Sequence, residues 1–506
     1  MQTLPTVRDN MIRYIDAGFP ILYIRTFEES KADKYIESVA GGREVLEWNG
    51  ANGFVDFRTK AALLPNQTLE ATLTLLKNGK ELDRKIFVIK DAAEQLNPQN
   101  ALQTTNVVVA LLKEIARKIR DAVDGIDATV IIISTTLQIP QDLEKMTTIL
   151  ELGLPDEKEI NDVIHNFMRA NNIINVHPDL LEQLSLAFKG LTEFEIEDLL
   201  SLAISSGEEL TKNVLKLIFE QKQQMILKAG ILEMIPLKES ISDIGGLEDL
   251  KDWLQKKAKV FKNIKEALKF GVAIPKGVLI AGIPGCGKSL SAKAAGNLFD
   301  VPLLRLDMGR LMGKYVGESE ENMRKAIQLA EAISPCVLWV DELEKAFAGI
   351  SGGSEVTTRL FGTFLTWMQE KTSAAFVLAT ANDITQLPPE LMRKGRFDEI
   401  FYVGLPNESE RKKIFEIHIS KRRKQDVGQI DIDALISMTE GYSGADIDGV
   451  VSESVESVFV KGNPALTTED ILDCINNTHS LSEIMKEPLE QMDKLYKDRK
   501  FKKASR

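Results

Sequence analysis

Lys276-Gly277-Val-Leu-Ile-Ala-Gly282-Ile-Pro-Gly285-Cys286-Gly287-Lys288-Ser289 is the stretch that decides the fold. Val278 to Ala281 is a short apolar run of strand type, and Ser289 to Leu298 reads as a helix. Between them Gly282, Ile283, Pro284, Gly285, Cys286, Gly287, Lys288 and Ser289 match GxxxxGK[ST]. Glycines at these positions let backbone amides converge on phosphate oxygens, and the following helix start adds its positive end. Lys288 would reach the β- and γ-phosphates of ATP, and the Ser289 hydroxyl would hold Mg²⁺. Leu290 joins them in the expected nucleotide-binding set. Cys286 reads as a small residue filling a variable loop position; the competing reading is a thiol activated by the helix start and a lysine.

Two further strand ends belong to the same chemistry. Val337-Leu-Trp-Val-Asp341-Glu342 lies 53 residues after Lys288 and delivers two carboxylates to one sheet edge. The first can hold the metal's hydration shell, and the second can polarise an attacking water. Phe376-Val-Leu-Ala-Thr-Ala-Asn382 ends in an amide able to orient that water. An asparagine after a strand is ordinarily a turn residue, and its order after the other two motifs is what singles Asn382 out.

Strand-like runs alternate with amphipathic helical stretches along all 506 residues, the pattern of α/β units on a parallel sheet. The runs are 21–24, 86–89, 129–133, 278–281, 303–306, 337–340, 376–379 and 400–403. The two halves also repeat. Leu154-Pro155-Asp156-Glu157 is followed, 35 residues after its proline, by Gly190-Leu-Thr-Glu-Phe-Glu-Ile-Glu-Asp198. Leu405-Pro406-Asn407-Glu408 is followed at the same distance by Gly441-Tyr-Ser-Gly-Ala-Asp-Ile-Asp448. An apolar run ending in an acid precedes each proline, at Asp91 by 64 residues and at Asp341 by 65. Two copies of one fold follow. In the first copy the run 21–24 leads into Arg25-Thr-Phe-Glu-Glu-Ser30, with two acids and no glycine, so it should bind no phosphate.

Ser242-Asp243-Ile244-Gly245-Gly-Leu247, the glycine loop, Asp341-Glu342, Asn382, Leu391-Met-Arg393-Lys-Gly-Arg396-Phe-Asp398 and Gly444-Ala445-Asp446 together resemble the AAA ATPase family, in order and spacing. The likeness runs from about Ser242 to Thr478, and the first half is similar only as a degenerate copy. The layout resembles the two-module AAA proteins of cyanobacteria and plastids. That resemblance implies an α/β protein of two AAA-like modules in tandem, each a parallel-sheet core plus a small helical lid. The expected divisions are a degenerate core at 1–154, its lid at 155–228, a linker at 229–243, the active core at 244–405, its lid at 406–479 and a basic tail at 480–506.

The resemblance also implies roles for residues. Asp243, Ile244 and Gly245 would pack on the adenine, with Gly444 and Ala445 closing over it. Arg393 and Arg396 match the family's arginine fingers, which complete a neighbour's site in a homo-oligomeric ring, usually a hexamer. Lys394 stands where many relatives carry proline, so the choice between the two arginines stays open. Lys314-Tyr315-Val316-Gly317 matches the pore loop that grips an extended polypeptide. No HExxH motif occurs, so a protein substrate would be remodelled and not degraded.

Composition bounds the competing functions. A formal charge of −12 argues against indiscriminate binding to nucleic acid, and no stretch reaches the length of a membrane span. Three scattered cysteines, Cys286, Cys336 and Cys474, exclude a disulfide framework and a CxxC metal site, and without a span or signal pattern the chain reads as cytoplasmic or as the soluble phase of an organelle. The leading expectation is Mg²⁺-dependent ATP hydrolysis driving remodelling of a protein complex. A nucleic-acid-linked motor rests only on the basic run from Lys494 to Arg506, otherwise read as a solvated end. A slow nucleotide-switched scaffold is the third reading.

Overall fold

Each of the eight apolar runs lies inside a strand, because Val, Ile, Leu and Phe flanked by turn residues favour extended backbone buried on both faces. The computed structural model describes residues 7–506 except 66, 78–80, 98–102, 122–125, 174–175, 206–212, 312–317, 348–354, 394, 463–464 and 500. The chain forms two compact units, residues 1–215 and 216–506. Among the described residues no helix is long and apolar enough to cross a membrane.

The first unit holds β1 (Ile21–Arg25), β2 (Glu44–Asn49), β3 (Gly53–Asp56), β4 (Ala62–Pro65), β5 (Lys85–Ile89), β6 (Ala128–Ser134) and β7 (Thr147–Glu151). Their order is β4-β3-β2-β5-β6-β1-β7, and the five from β2 to β7 run parallel. The second unit holds β8 (Leu232–Ile235), β9 (Gly277–Gly282), β10 (Leu303–Leu306), β11 (Cys336–Val340), β12 (Ala375–Ala381), β13 (Glu399–Val403) and β14 (Lys502–Lys503). Its parallel core is β10-β11-β12-β9-β13, the same order of succession as β2-β5-β6-β1-β7. Both modules are therefore one topology, with helices on the two faces of each sheet.

The repeated proline signatures have a local cause. Asp156 and Asn407 each cap a helix, Glu157–Ala170 and Glu408–Arg423, through reciprocal bonds with Glu159 and Glu410. Thr192 with Glu195, and Ser443 with Asp446, form the same box at the next landmark. The lid of the second unit buries its own small core around Phe415, Leu435, Ile447 and Ile471.

Three expectations change. The stretch 229–243 is not a plain linker, because Leu232–Ile235 pairs antiparallel with β10 as an edge strand. The helix Asn213–Ala229 sends Ile226 into the second unit's core, and the division between units falls after Leu215. The expected solvated tail is instead built in: the helix Lys486–Asp498 buries Leu489 and Tyr496, the latter stacked on Tyr402 at 4.0 Å. β14 then pairs with β13, and the Ala504 carbonyl accepts from the Asp249 and Leu250 amides.

A further change concerns register. β5 and β11 end at Ile89 and Val340, so Lys90, not Asp91, occupies the place of Asp341. Lys90 lies 65 residues before Pro155, as Asp341 lies 65 before Pro406. The next residues agree, since Asp91 and Glu342 both take positive φ, 58° and 49°. Lys90 is 6% exposed and its ammonium lies 2.8 Å from Asp33 and 3.4 Å from Glu47. Lys90→Met leaves those carboxylates buried without it. We expect it to destabilise the first unit by about 3 kcal/mol, measured by denaturant unfolding; a loss below about 1 kcal/mol contradicts the buried network.

Candidate active site

β9 ends at Gly282 with φ 146°, an angle open to glycine, and a Cβ there would strike the Val403 carbonyl oxygen at 2.0 Å. The chain then turns through residues 283–287 into the helix Lys288–Phe299. Gly285 (φ 75°) faces the lid, and a Cβ on it would sit 2.9 Å from Ser443 Oγ and 3.0 Å from Ala445 Cβ. The Ala445 amide donates to the Gly285 carbonyl at 2.9 Å, tying lid to loop.

Loop, lid and strand ends enclose a cavity of about 460 Å³, ample for a nucleotide. It is lined by Asp243, Ile244, Gly245, Pro284, Gly285, Cys286, Gly287, Lys288, Ser289, Leu290, Asp341, Glu342, Asn382, Gly444 and Ala445. Of the expected set, Gly282 and Ile283 stand behind that lining and shape it through their carbonyls. Lys288 Nζ donates to those two oxygens at 2.8 and 2.7 Å, and burial lowers its pKa to about 8. Arg393 and Arg396 are not brought to this cavity: Arg393 is exposed, and Arg396 donates to the Glu390 carbonyl. Tyr315, Val316 and Lys394 lie outside the described residues.

The strand ends meet as a hydrogen-bonded set. Asp341 Oδ1 accepts from Thr380 Oγ1 at 2.5 Å and from Ser289 Oγ at 3.4 Å. The Glu342 amide donates to Thr380 Oγ1 at 3.1 Å, and Asn382 Nδ2 donates to Glu342 Oε1 at 3.4 Å. Lys345 Nζ holds the other Glu342 oxygen at 2.7 Å. Behind them Glu344 is buried, which raises its pKa, and accepts from the Asn382 amide at 3.1 Å. The donors nearest the loop are a hydroxyl and a carboxylate oxygen, the hard set that suits Mg²⁺. Among the described residues no cluster of three His, Cys, Asp or Glu could hold a metal alone, as expected for an ion that also takes phosphate oxygens and waters.

Several residues here escaped the sequence reading. Thr380 was visible as a hydroxyl inside an apolar strand. Ile414, Ile417, His418 and Asp448 line the cavity from the lid, and only the tertiary fold brings them there. His418 Nδ1 lies 2.5 Å from Asp448 Oδ1, and burial lowers the imidazole's pKa. Asp243 is engaged with the Ser240 amide at 2.8 Å and with Lys421 at 3.0 Å, both of which hold its carboxyl below the usual range. It therefore fastens the segment to the lid helix, while Ile244 and Gly245 border the cavity.

The model of the ATPase family associated with various cellular activities (AAA) matches residues 278–405. SpoVK-like AAA ATPase models match 7–152 for the N-terminal domain and 158–229 for the second domain, and the AAA+ lid domain matches 429–473. The uncharacterized AAA domain-containing protein ycf46 of Pyropia yezoensis is 36% identical over 496 residues, covering 97% of this chain and 98% of that protein. The protein of the same name from Guillardia theta is 37% identical over 484 residues, covering 95% and 92%. A cell division cycle protein 48 homolog of Archaeoglobus fulgidus is 29% identical over 339 residues, 60% of this chain and 44% of that one.

The idea of an activated thiol is overturned, since burial pushes Cys286 up to about 11 and outweighs Lys288. Below pH 9 almost none of it is thiolate, so iodoacetamide should modify it about a hundredfold more slowly than a free cysteine. Mass spectrometry of the labelled peptide measures this; labelling at the free-thiol rate at pH 8 contradicts the burial.

Proposed function

Because the chain belongs to the AAA ATPase family and hydrolyses ATP, we propose that its second module does so with Mg²⁺ between neighbouring copies in a ring, remodelling a protein complex. The observation that supports the shared site is that, among the described residues, no arginine lines the cavity, Arg305 reaching only the outer oxygen of Asp341, while Arg393 stands exposed on the same module.

In this reading Ser289 and Asp341 would hold the metal, which would supply positive charge to offset that of the phosphates. Thr380 fixes Asp341 by its 2.5 Å bond and, through the Glu342 amide, sets where the second acid begins. Glu342 accepts a proton from the attacking water, and Asn382 orients the acid from 3.4 Å. Lys288 leaves the Gly282 and Ile283 carbonyls for the phosphates. Ile244, Gly245, Gly444 and Ala445 enclose the base. A neighbour's Arg393 or Arg396 stabilises charge at the transferring phosphoryl group.

The first module serves as adaptor or scaffold, since Lys90 stands where the metal-holding acid would be and Glu193 stands where the second lid has Gly444. Lys31 joins that glutamate and Glu159 at 3.3 and 3.1 Å. Threading by Tyr315 and Val316 is the mechanism we favour for remodelling. The compartment we propose is the cytoplasm, in keeping with three free cysteines. A nucleic-acid role loses its main support, because the terminal Arg506 bonds Asp249 and Asp252 and Lys502 faces Glu399.

Mixing tests the shared site. Glu342→Gln alone should lower kcat about 100-fold or more while retaining ATP binding, and Arg393→Ala/Arg396→Ala about 1,000-fold. Combining the two inactive proteins should restore turnover, measured as phosphate release, whereas a mixture as inactive as its components rules out arginines acting between copies. Titration with a fluorescent ATP analogue should give one site per chain; two would mean the first module binds nucleotide after all.

A further inference from the structure

Arg305 is a long cation in the middle of β10, between the buried Leu304 and Leu306, and it does not line the nucleotide cavity. Its register partner on β11 is Trp339. The guanidinium lies over that indole, 5.2 Å from the ring centroid, and Nη2 reaches to 3.9 Å from Asp341 Oδ2. Nε is buried without a hydrogen-bond partner. Apolar packing of the strand does not require a residue of this kind, so the charge has another use.

The two oxygens of Asp341 are divided between two environments. Oδ1 takes the Thr380 and Ser289 hydroxyls on the loop side, and Oδ2 faces Arg305. The first module carries the same pair with the charges exchanged. With Lys90 at the place of Asp341, the register of β2 on β5 puts Glu47 at the place of Arg305, and these two are 3.4 Å apart. Where the acid became a base, its strand neighbour is an acid. The two positions are thus electrostatically coupled in both modules.

We propose that Arg305 is a positioning residue that acts through Asp341, holding the acid's outer oxygen and opposing a divalent cation until nucleotide phosphates arrive. Asp341 and Glu342 bring two carboxylates to the cavity, while Lys288 is turned to the loop carbonyls. Left uncompensated, such charge would draw hydrated cations weakly toward the acids, although among the described residues it forms no cluster that could hold a metal alone. Arg305 on Asp341, with Lys345 on Glu342, supplies the countercharge from within the chain. Metal entry then depends on nucleotide. This rests on the reading of Ser289 and Asp341 as the metal's holders.

Mn²⁺ titration of the full-length chain, with free Mn²⁺ counted by electron paramagnetic resonance, tests it without turnover. In nucleotide-free protein, Arg305→Gln should tighten Mn²⁺ binding about threefold and Arg305→Glu about tenfold, with Arg305→Lys close to the parent. The gain should shrink in 0.5 M KCl, because the side chain is 41% exposed and therefore screened. A purely structural arginine would produce no such charge series, and matched melting temperatures confirm that the variants fold. Unchanged or weaker Mn²⁺ binding in both Gln and Glu variants overturns the proposal. Asp341→Asn keeps the two failures apart: it should weaken Mn²⁺ binding in the ADP-loaded chain about tenfold, and if binding is unchanged the metal assignment itself is wrong.

Discussion

A parallel sheet delivers the carboxyl ends of its strands to one edge, and everything catalytic in this molecule depends on that geometry. β9, β11 and β12 are adjacent or next-but-one, so Gly282, Asp341 and Asn382 emerge side by side although they are far apart in sequence. The bond from the Ile283 amide to the Val403 carbonyl at 2.9 Å carries the same order one strand further and sets the first turn of the glycine loop. The close approach of backbone at Gly282 is possible only because that residue has no side chain. Hydrogen-bonded strand register thus brings Gly282, Asp341 and Asn382 to one edge before any side chain chooses a rotamer.

Both modules obey this constraint, and they differ in what is mounted on it. In the second, the strand ends carry oxygen donors aimed at a glycine loop. In the first, the corresponding edge is filled by Lys90, Glu47, Asp33 and Lys60, which neutralise one another. Lid attachment changes in parallel: Gly285 and Ala445 meet backbone to backbone, whereas the first lid is joined by Lys31 to Glu159 and Glu193. Ion pairs occupy the place where the second module has its cavity, so the first module keeps lid and core together through its own side chains.

Much of this was legible in the sequence, because short-range chemistry writes itself locally. The glycine loop, the two acids, Asn382 and the repeated capping boxes are contiguous motifs whose residue types follow from the bonds they make. What depended on register was not legible. Looking for an apolar run that ends in an acid selected Asp91, whereas the strand ends one residue earlier and the equivalent residue is a lysine; only hydrogen-bond partners and the shared positive φ reveal it. The basic C-terminal stretch was misread because its anchors, Leu489, Tyr496 and Ala504, are sparse among charges. β8 was missed because a four-residue edge strand of mixed polarity carries no periodic signal. Ile414 and His418 reach the cavity from a helix more than a hundred residues after the loop, a juxtaposition that no local pattern encodes.

The loop lengths differ as well. Residues 26–28 connect strand to helix in the first module, whereas residues 283–287 do so in the second. Charges can be restored by single substitutions, but an anion cradle needs backbone that the shorter connection does not contain. A phosphate cradle in the first module would need added backbone and a different arrangement of the ion pairs around Lys90. Backbone length alone thus separates the two connections: five residues between strand and helix in the second module can turn several amides toward one point, and three in the first cannot.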